Sequence, residues 1–343
     1  MSLMKGISIV VCTYNGATRL KPTLESIFHQ QDNEQIPWEL IIIDNASTDN
    51  TSECCAALIA ENNFQNRSRI VFEKNSGCNF ARLRGLTEAR YEWILFCDDD
   101  NHLFPNYLKQ GWATLQNQDK IGVLGGQGIA LFEEEAPEWF SRYHLSFAVG
   151  KQSSTSGKLN RLYGRKLYSA GSFFRKEILL RYYEKGFSTI MVGPKGDDLT
   201  RGEDTEWCMM IELMGYDLWY EDSLKFHHYM PKGRMTWEYY LKLKKGISSG
   251  EAKLKSYQLF YTLQKPGILH FCLTYLKSLL HSNFIWLLFL MKSSLLGSYS
   301  KEIKELGSIT SKGKASAYRN HFLSTIRHFI QLKKFFNNQS LSH

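Results

Sequence analysis

Glu92-Trp-Ile-Leu-Phe-Cys-Asp-Asp-Asp100 is the stretch whose reading decides the fold. Residues 92–97 are mostly apolar, so they read as a buried β-strand that runs straight into consecutive aspartates. Similar runs precede it at Ile7–Cys12, Trp38–Ile43 and Arg69–Phe72. Helical patterns lie between them. Leu20, Leu24, Ile27 and Phe28 share a face in residues 19–30. Residues 50–62 form a helix that Ser47, Thr48 or Asp49 can cap, and Ala81, Leu83 and Leu86 point inward from 77–89. This strand–helix alternation predicts an α/β fold with a mostly parallel central sheet flanked by helices. Open sheets of this kind bind ligands outside the carboxyl ends of their strands. Asp44 and the Asp98–Asp100 run both stand at such ends.

Beyond residue 100 the pattern changes. A helix opens at Pro105, and a strand over 121–131 kinks at Gly125 and Gly126. Residues 133–165 are irregular, with a polar stretch from Gln152 to Lys158. A strand over 166–174 leads to a helix over 175–183, then to a loop rich in Gly, Pro and Asp over 186–200. Residues 203–214 are helical and end at Gly215. A strand over 216–220 comes next, with 225–229 leading out of it. From Trp237 onward the chain reads as helical. The division is therefore 4–235, itself split into 4–100 and 101–235, and a helical region over 236–343.

A chain of 343 residues with 43% hydrophobic and 22% charged residues has material for a substantial core, which excludes a disordered or fibrous chain. The net charge of +8 is uneven: residues 251–343 carry +10 and residues 1–250 carry −2. Basicity thus belongs to the tail. No reading motif or polar aromatic groove accompanies it, so no nucleic acid is expected as a partner. Residues 268–291 are strongly apolar but include Lys277, His281 and Asn283, and the unbroken run Phe284–Met291 is too short to span a bilayer. A pair of core helices or a single helix packed on the main domain, a membrane-apposed hairpin and a spanning segment all stay open. Residues 318–336 place Phe322, Ile326, Phe329, Ile330, Lys333 and Lys334 at helical spacing. This suits either peripheral contact with an anionic membrane or an ordinary surface helix. The seven cysteines include the adjacent Cys54 and Cys55 and no CxxC pair. A reducing, cytoplasmic compartment is expected, and a thiolate zinc site is not. Met1–Leu3 are set aside, and no signal-peptide pattern precedes Ile7.

Adjacent carboxylates repel one another. A divalent cation, Mg²⁺ or Mn²⁺, shared with a diphosphate would relieve that repulsion. Alternation along the chain would put Asp98 and Asp100 on one side and Asp99 on the other. The plain alternative is an exposed acidic turn. Asp44 can accept a hydrogen bond from a base or a ribose hydroxyl, with Thr13, Tyr14 and Asn15 as the neighbouring wall. Arg201-Gly-Glu-Asp-Thr-Glu206 begins a helix. Its carboxylates either favour the helix N-terminus or supply a general base for an acceptor hydroxyl. His227 and His228 come after the next strand, where one can reach a metal, and Lys232 and Arg234 can cover phosphates.

Taken together, the motifs resemble the inverting family 2 glycosyltransferases of the GT-A fold, including members that build bacterial surface polysaccharide. The matching segments are Ile7-Ser-Ile-Val-Val-Cys-Thr-Tyr-Asn15, Glu39-Leu-Ile-Ile-Ile-Asp-Asn-Ala-Ser-Thr-Asp49, Asn75-Ser-Gly-Cys-Asn79, Ala81-Arg-Leu-Arg-Gly85, Ile94-Leu-Phe-Cys-Asp-Asp-Asp100 and Gly202-Glu-Asp-Thr-Glu206. The resemblance covers residues 7 to about 230 and not the last hundred. It implies a nucleotide-binding half, 4–100, and an acceptor-binding half, 101–235. It implies donor contacts from Thr13, Tyr14, Asn15, Asp44, Asn75, Arg82, Asp98 and Asp99, and a divalent metal held by Asp100, Asp98 and His228. Asp204 is the implied catalytic base, with Glu203 as the alternative. The implied donor is a nucleotide-diphospho-sugar, UDP-linked by default, and the acceptor a saccharide or lipid-linked saccharide. Loops 150–160 and 190–201 are candidate lids. A homo-oligomer is left open. A sugar-1-phosphate nucleotidyltransferase would want a richer phosphate-gripping loop than Thr13–Arg19. A degenerate binding scaffold would have no need of both acidic motifs.

Overall fold

Ile7, Ile9, Val10 and Val11 are wholly buried in β1 (Met4–Thr13), as a strand covered on both faces must be. The computed structural model describes residues 4–32, 34–159, 167–191, 193, 201–262, 267–295 and 301–337. Parallel to β1 run β2 (Trp38–Asp44), every residue of which is buried, and β4 (Tyr91–Asp98); β3 (Ser68–Phe72) runs parallel to β2. The crossovers are α1 (Leu20–Phe28), α2 (Thr51–Glu61) and α3 (Cys78–Glu88), all close to the predicted helices. The register aligns the strand ends: Thr13 lies beside Asp44, and Cys12 beside Asp98.

The second half of the sheet is mixed. Its elements are β5 (Asn101–Leu103), α4 (Tyr107–Gln116), β6 (Ile121–Phe132), the short α5 (Phe140–Tyr143), β7 (Gly157–Lys158), β8 (Ser172–Arg175), α6 (Lys176–Glu184), α7 (Glu203–Leu213) and β9 (Asp217–Met230). The strand order is β3-β2-β1-β4-β8-β6-β9-β5, with β7 on β9. β8 is antiparallel to β4 and β6, β5 and β7 are antiparallel to β9, and β6 and β9 are parallel. Parallel pairing needs a crossover for each strand, and the regular strand–helix alternation stops at the aspartates. The fold is α/β as expected, parallel where the alternation holds and mixed beyond it.

Two expectations about strands are corrected. The strand predicted over 216–220, from residue 217 on, and residues 225–229 belong to one strand, β9, whose pairing with β6 shifts register between Gly125 and Gln127. A Cβ on Gly126 would stand 2.0 Å from the Leu224 carbonyl oxygen, so glycine admits the bulge. Of the strand predicted over 166–174, residue 166 lies outside the described residues, and among the rest the strand begins only at Ser172, after Gly171 at φ +66°.

The chain divides into two units: Met1–Glu184 with Met210–Met235, which holds the sheet, and Lys185–Met209 with Thr236–His343. Residues 185–209, placed with the first domain in the sequence division, cluster with the C-terminal helices. These are α8 (Trp237–Thr262), α9 (Ile268–Leu295), α10 (Lys301–Asn320) and α11 (Phe322–Asn337). The apolar face of α11 turns inward. Phe329 stacks on Phe271 of α9 at 4.0 Å, and Phe336 lies 5.4 Å from Phe260 of α8. Of the two readings left open for residues 318–336, this packing fits the helix whose apolar face is satisfied within the protein. Residues 268–291 belong to one helix, which sets aside the paired-helix and hairpin readings and leaves the single-helix ones. By length and composition Ile268–Met291 could cross a membrane, and Leu269, Leu273, Leu280, Phe284 and Leu287 are exposed on it. Residues 192 and 194–200 of the second candidate lid, and residue 160 of the first, lie outside the described residues.

Close packing at one helix gives a test. A Cβ on Gly85 of α3 would meet Val10 Cγ1 at 2.3 Å. Gly85→Ala should lower stability by about 1–3 kcal/mol through overpacking, outweighing the ~1 kcal/mol by which alanine favours a helix. Urea unfolding of the two proteins measures this, and an unchanged or raised midpoint would refute it.

Candidate functional site

Asp98 closes β4, and Asp99 and Asp100 form the turn into β5. A turn breaks the strand alternation, so the three carboxylates go to three different partners. Asp98 Oδ1 accepts from Arg82 Nη2 of α3 at 3.2 Å. Asp99 Oδ2 accepts from Thr13 Oγ1 at 2.7 Å and from Arg19 Nη2 at 2.6 Å. Asp100 Oδ2 accepts from Arg234 Nη1 at 2.7 Å, Asn101 Nδ2 donates to its Oδ1 at 3.1 Å, and His228 Nε2 lies 3.4 Å from the same oxygen. The repulsion that suggested a cation is therefore met by a guanidinium for each carboxylate. The expected sharing of one side by Asp98 and Asp100 is replaced by separate pairings.

Burial raises the Asp99 carboxyl, with Arg19 and Thr13 pulling against it and the charge of Asp100 adding to it. Burial would raise Asp100 too, but the charges and hydrogen bonds of His228 and Arg234 outweigh it and hold that carboxyl well below the usual range. Asp99 and Asp100 thus differ through their neighbours.

The wall beside the turn is built from side chains that order one another. Asp44 is buried; its Oδ1 accepts from the Ser47 N–H at 3.0 Å, and its Oδ2 accepts from the Ser52 hydroxyl. Asn15, at φ +49°, accepts from the Thr48 N–H at 2.8 Å, and its own N–H donates to Ser47 Oγ at 3.0 Å. Arg19 donates to the Tyr14 and Asn15 carbonyls at 2.7 and 2.8 Å. The Tyr14 side chain stays half exposed. Asn75 is exposed beside Glu73, its carbonyl accepting from Asn45 Nδ2 at 2.6 Å. Lys232 is exposed, with Nζ 3.5 Å from Glu134. Arg19, Asn101 and Ser52 were not singled out from sequence, and Ser47 was named only as a helix cap. The one cue to Arg19 was an arginine in the loop just past a strand end.

For a divalent cation, Asp100 and His228 are the donors this geometry offers. Their atoms at 3.4 Å are near the ~3 Å separation of two ligands on one ion. The other ring nitrogen of His228, Nδ1, is buried without a hydrogen-bond partner. Among the described residues no group of three or more His, Cys, Asp or Glu side chains could hold an ion. One carboxylate and one imidazole suit a cation completed by phosphate oxygens and water, provided Arg234 yields Asp100 Oδ2. Glu203 and Asp204 belong to the other unit. There Glu203 is buried and accepts from the Gly202 N–H at 3.0 Å, and Asp204 Oδ1 accepts from the Thr205 N–H at 2.7 Å.

Strand-end carboxylates and their arginines thus gather at one rim of the sheet. The chain matches the model for glycosyl transferase family 2 over residues 8–181, half its length, and it belongs to that family. It is 32% identical over 120 residues to the glycosyltransferase GlyG of Streptococcus pneumoniae, which covers 35% of this chain and 38% of GlyG. The match thus spans under half of that relative. The fold is similar to Staphylococcus aureus TarS 1–349 in complex with UDP-GlcNAc, with a TM-score of 0.52, 15% identity, and coverage of 93% of this chain and 92% of that one. It is also similar to the mannosyltransferase PcManGT of Pyrobaculum calidifontis in complex with GDP-Man and Mn²⁺, with a TM-score of 0.53, 16% identity, and coverage of 96% and 86%. These likenesses establish the GT-A fold.

The Asp100–Arg234 pair carries a pH signature. A depressed carboxyl contributes stability that is present above its unfolded value, ~4, and lost as pH falls below it. Arg234→Ala should cost about 1–3 kcal/mol at pH 7, and the deficit should shrink as pH drops below ~4. Urea unfolding of both proteins across pH 3–7 checks this; a deficit that does not vary with pH would refute it.

Proposed function

We propose that the protein transfers a sugar from a nucleoside-diphosphate sugar to a hydroxyl of a saccharide or lipid-linked saccharide, with inversion at the anomeric carbon. One observation carries the donor half: register sets Thr13, Asp44 and Asp98 side by side at the carboxyl ends of β1, β2 and β4. Tyr14 is then exposed for stacking on the base, and Asp44 stands beside the base and ribose with its loop already ordered. Asp98 and Asp99 face ribose and sugar, with Arg82 beside them and Asn75 contributing from the loop bonded to Asn45. Arg234 and Lys232 cover the diphosphate.

A divalent metal held by Asp100 and His228 would supply charge to the departing diphosphate. Support for it comes from the Asp100–His228 spacing and from the Mn²⁺ in the PcManGT complex. The acceptor oxygen bonds to the anomeric carbon as the bond from that carbon to the diphosphate breaks. The hydroxyl proton passes to the Asp204 carboxylate, with Glu203 as the alternative base. Glu203 already accepts from Gly202 and is buried, which favours Asp204. UDP is the default nucleotide, and TarS is itself named as a poly(ribitol-phosphate) β-N-acetylglucosaminyltransferase, which favours a cell-envelope acceptor. Peripheral membrane contact, if it serves a lipid-linked acceptor, falls to the exposed face of α9.

Nucleotide release from UDP-glucose, UDP-galactose, UDP-N-acetylglucosamine and GDP-mannose, with Mn²⁺ and with chelator, tests the reaction. One donor should turn over, and chelator should suppress it. Asp204→Asn should lower kcat at least ~100-fold with donor affinity nearly kept; equal loss of both would make Asp204 a structural residue. On the membrane, Leu273→Ser/Leu280→Ser should weaken flotation with vesicles containing phosphatidylglycerol by about tenfold, in line with the apolar area removed. Unchanged flotation would refute the α9 contact.

A further inference from the structure

The carboxylate of Glu206 is the least expected group in the second unit. It is wholly buried. Its Oε1 accepts from the Ile190 N–H at 2.9 Å and the Tyr257 hydroxyl at 2.8 Å, and its Oε2 accepts from the Met191 N–H at 2.9 Å. His328 Nε2 stands 3.8 Å from Oε1 with no hydrogen-bond partner of its own, while Nδ1 is 2.7 Å from Ser256 Oγ. The His328 ring packs at 4.7 Å from Tyr257 and 5.2 Å from Phe187. Four segments of this unit therefore meet at one carboxylate: residues 187–191, the start of α7, α8 and α11.

Capping does not account for it. An acid in the first turn of a helix ordinarily serves that helix's own N–H groups or its dipole. Here Glu203 accepts from the Gly202 N–H and Asp204 from the Thr205 N–H. Glu206 instead reaches out of its helix, to a loop and to another helix. Nor does stability account for it, since a well-packed apolar side chain at such a site often does as well as a buried charge. The surroundings are built to hold the segment that leads into α7. A Cβ on Gly250 of α8 would stand 2.0 Å from the Arg201 carbonyl oxygen, and Gly202 sits at φ +137°.

We propose that Glu206 is a positioning residue, and that its bonds to Ile190, Met191 and Tyr257, with His328 behind them, fix the first turn of α7 and so the direction of the Asp204 carboxylate. This rests on Asp204 being the base. The groups facing Glu206 are Tyr257 from α8, His328 from α11, Glu203 from α7 and the two backbone N–H groups. Burial raises the Glu206 carboxyl to about 7 against the pull of its three hydrogen bonds, with the charge of Glu203 adding to it. Burial lowers His328 to about 3, so the imidazole stays neutral and the carboxyl is what titrates. When Glu206 takes up a proton, one of its oxygens becomes a donor among donors, and the turn loosens.

The test is kcat against pH, on the full chain, with the panel donor that turns over fastest. Wild type should lose kcat as pH falls through about 7. Glu206→Gln should lower kcat about tenfold with donor KM within about twofold, and that acid limb should vanish. Glu206→Asp should restore part of both. Tyr257→Phe removes a bond that lowers the Glu206 pKa, so its limb should move to higher pH; it also serves alone should Glu206→Gln not fold. An unmoved limb in both variants, while Asp204→Asn abolishes turnover, overturns the positioning role and leaves the base assignment standing. Full turnover in Asp204→Asn removes the base assignment itself, and with it this proposal.

Discussion

Consecutive carboxylates at the end of a buried strand must each find a cation, and the first unit is arranged around that requirement. Burying a charge without a partner costs several kcal/mol or more. Arg82 comes from α3, Arg19 from the approach to α1, and Arg234 from the residues after β9, each to its own aspartate. Segments distant in the chain are thereby tied to one turn. On the proposed function these same groups give the site its selectivity: guanidinium groups already gathered at a strand end can turn toward a diphosphate, and Asp100 with His228 can turn toward a metal. The ion pairs are thus rivals of the ligand as well as supports of the fold.

Much of this was legible in the sequence where local physics acts alone. The strands ending at Thr13, Asp44 and Asp98 are runs of β-branched and aromatic residues, and their burial comes from that pattern. The helices between them come from spacing. Long-range pairing was not legible. No periodicity says that Arg234 returns to Asp100, or that Arg19 takes Asp99, because both depend on how the sheet is ordered beyond β4. The β9 strand was read as two pieces because its polar bulge at Glu221–Ser223 breaks the alternation that marks a strand. Residues 318–336 stayed open for the opposite reason: an amphipathic pattern has the same form whether the apolar face meets lipid or Phe271 and Phe260.

In the second unit the helices do more than cover an apolar face. Ser256, Tyr257 and His328 bring polar groups to Glu206, two residues from Asp204, so the basic C-terminal region is joined by hydrogen bonds to the acidic motif at the start of α7. Net charge and hydropathy describe the outside of this region and miss its polar interior. The exposed leucines of α9 are a separate property of the same unit.

The proposed reaction stands or falls on the Asp98–Asp100 turn, with its arginines, being where the nucleotide sugar sits. A crystal structure of the protein with its donor and Mn²⁺ settles that point. The expected result has the diphosphate beside the metal at Asp100 and His228, the base beside Asp44 and Tyr14, and Arg234 turned from Asp100 toward phosphate. A nucleotide bound elsewhere, with Asp98, Asp99 and Asp100 still paired to Arg82, Arg19 and Arg234, would contradict it.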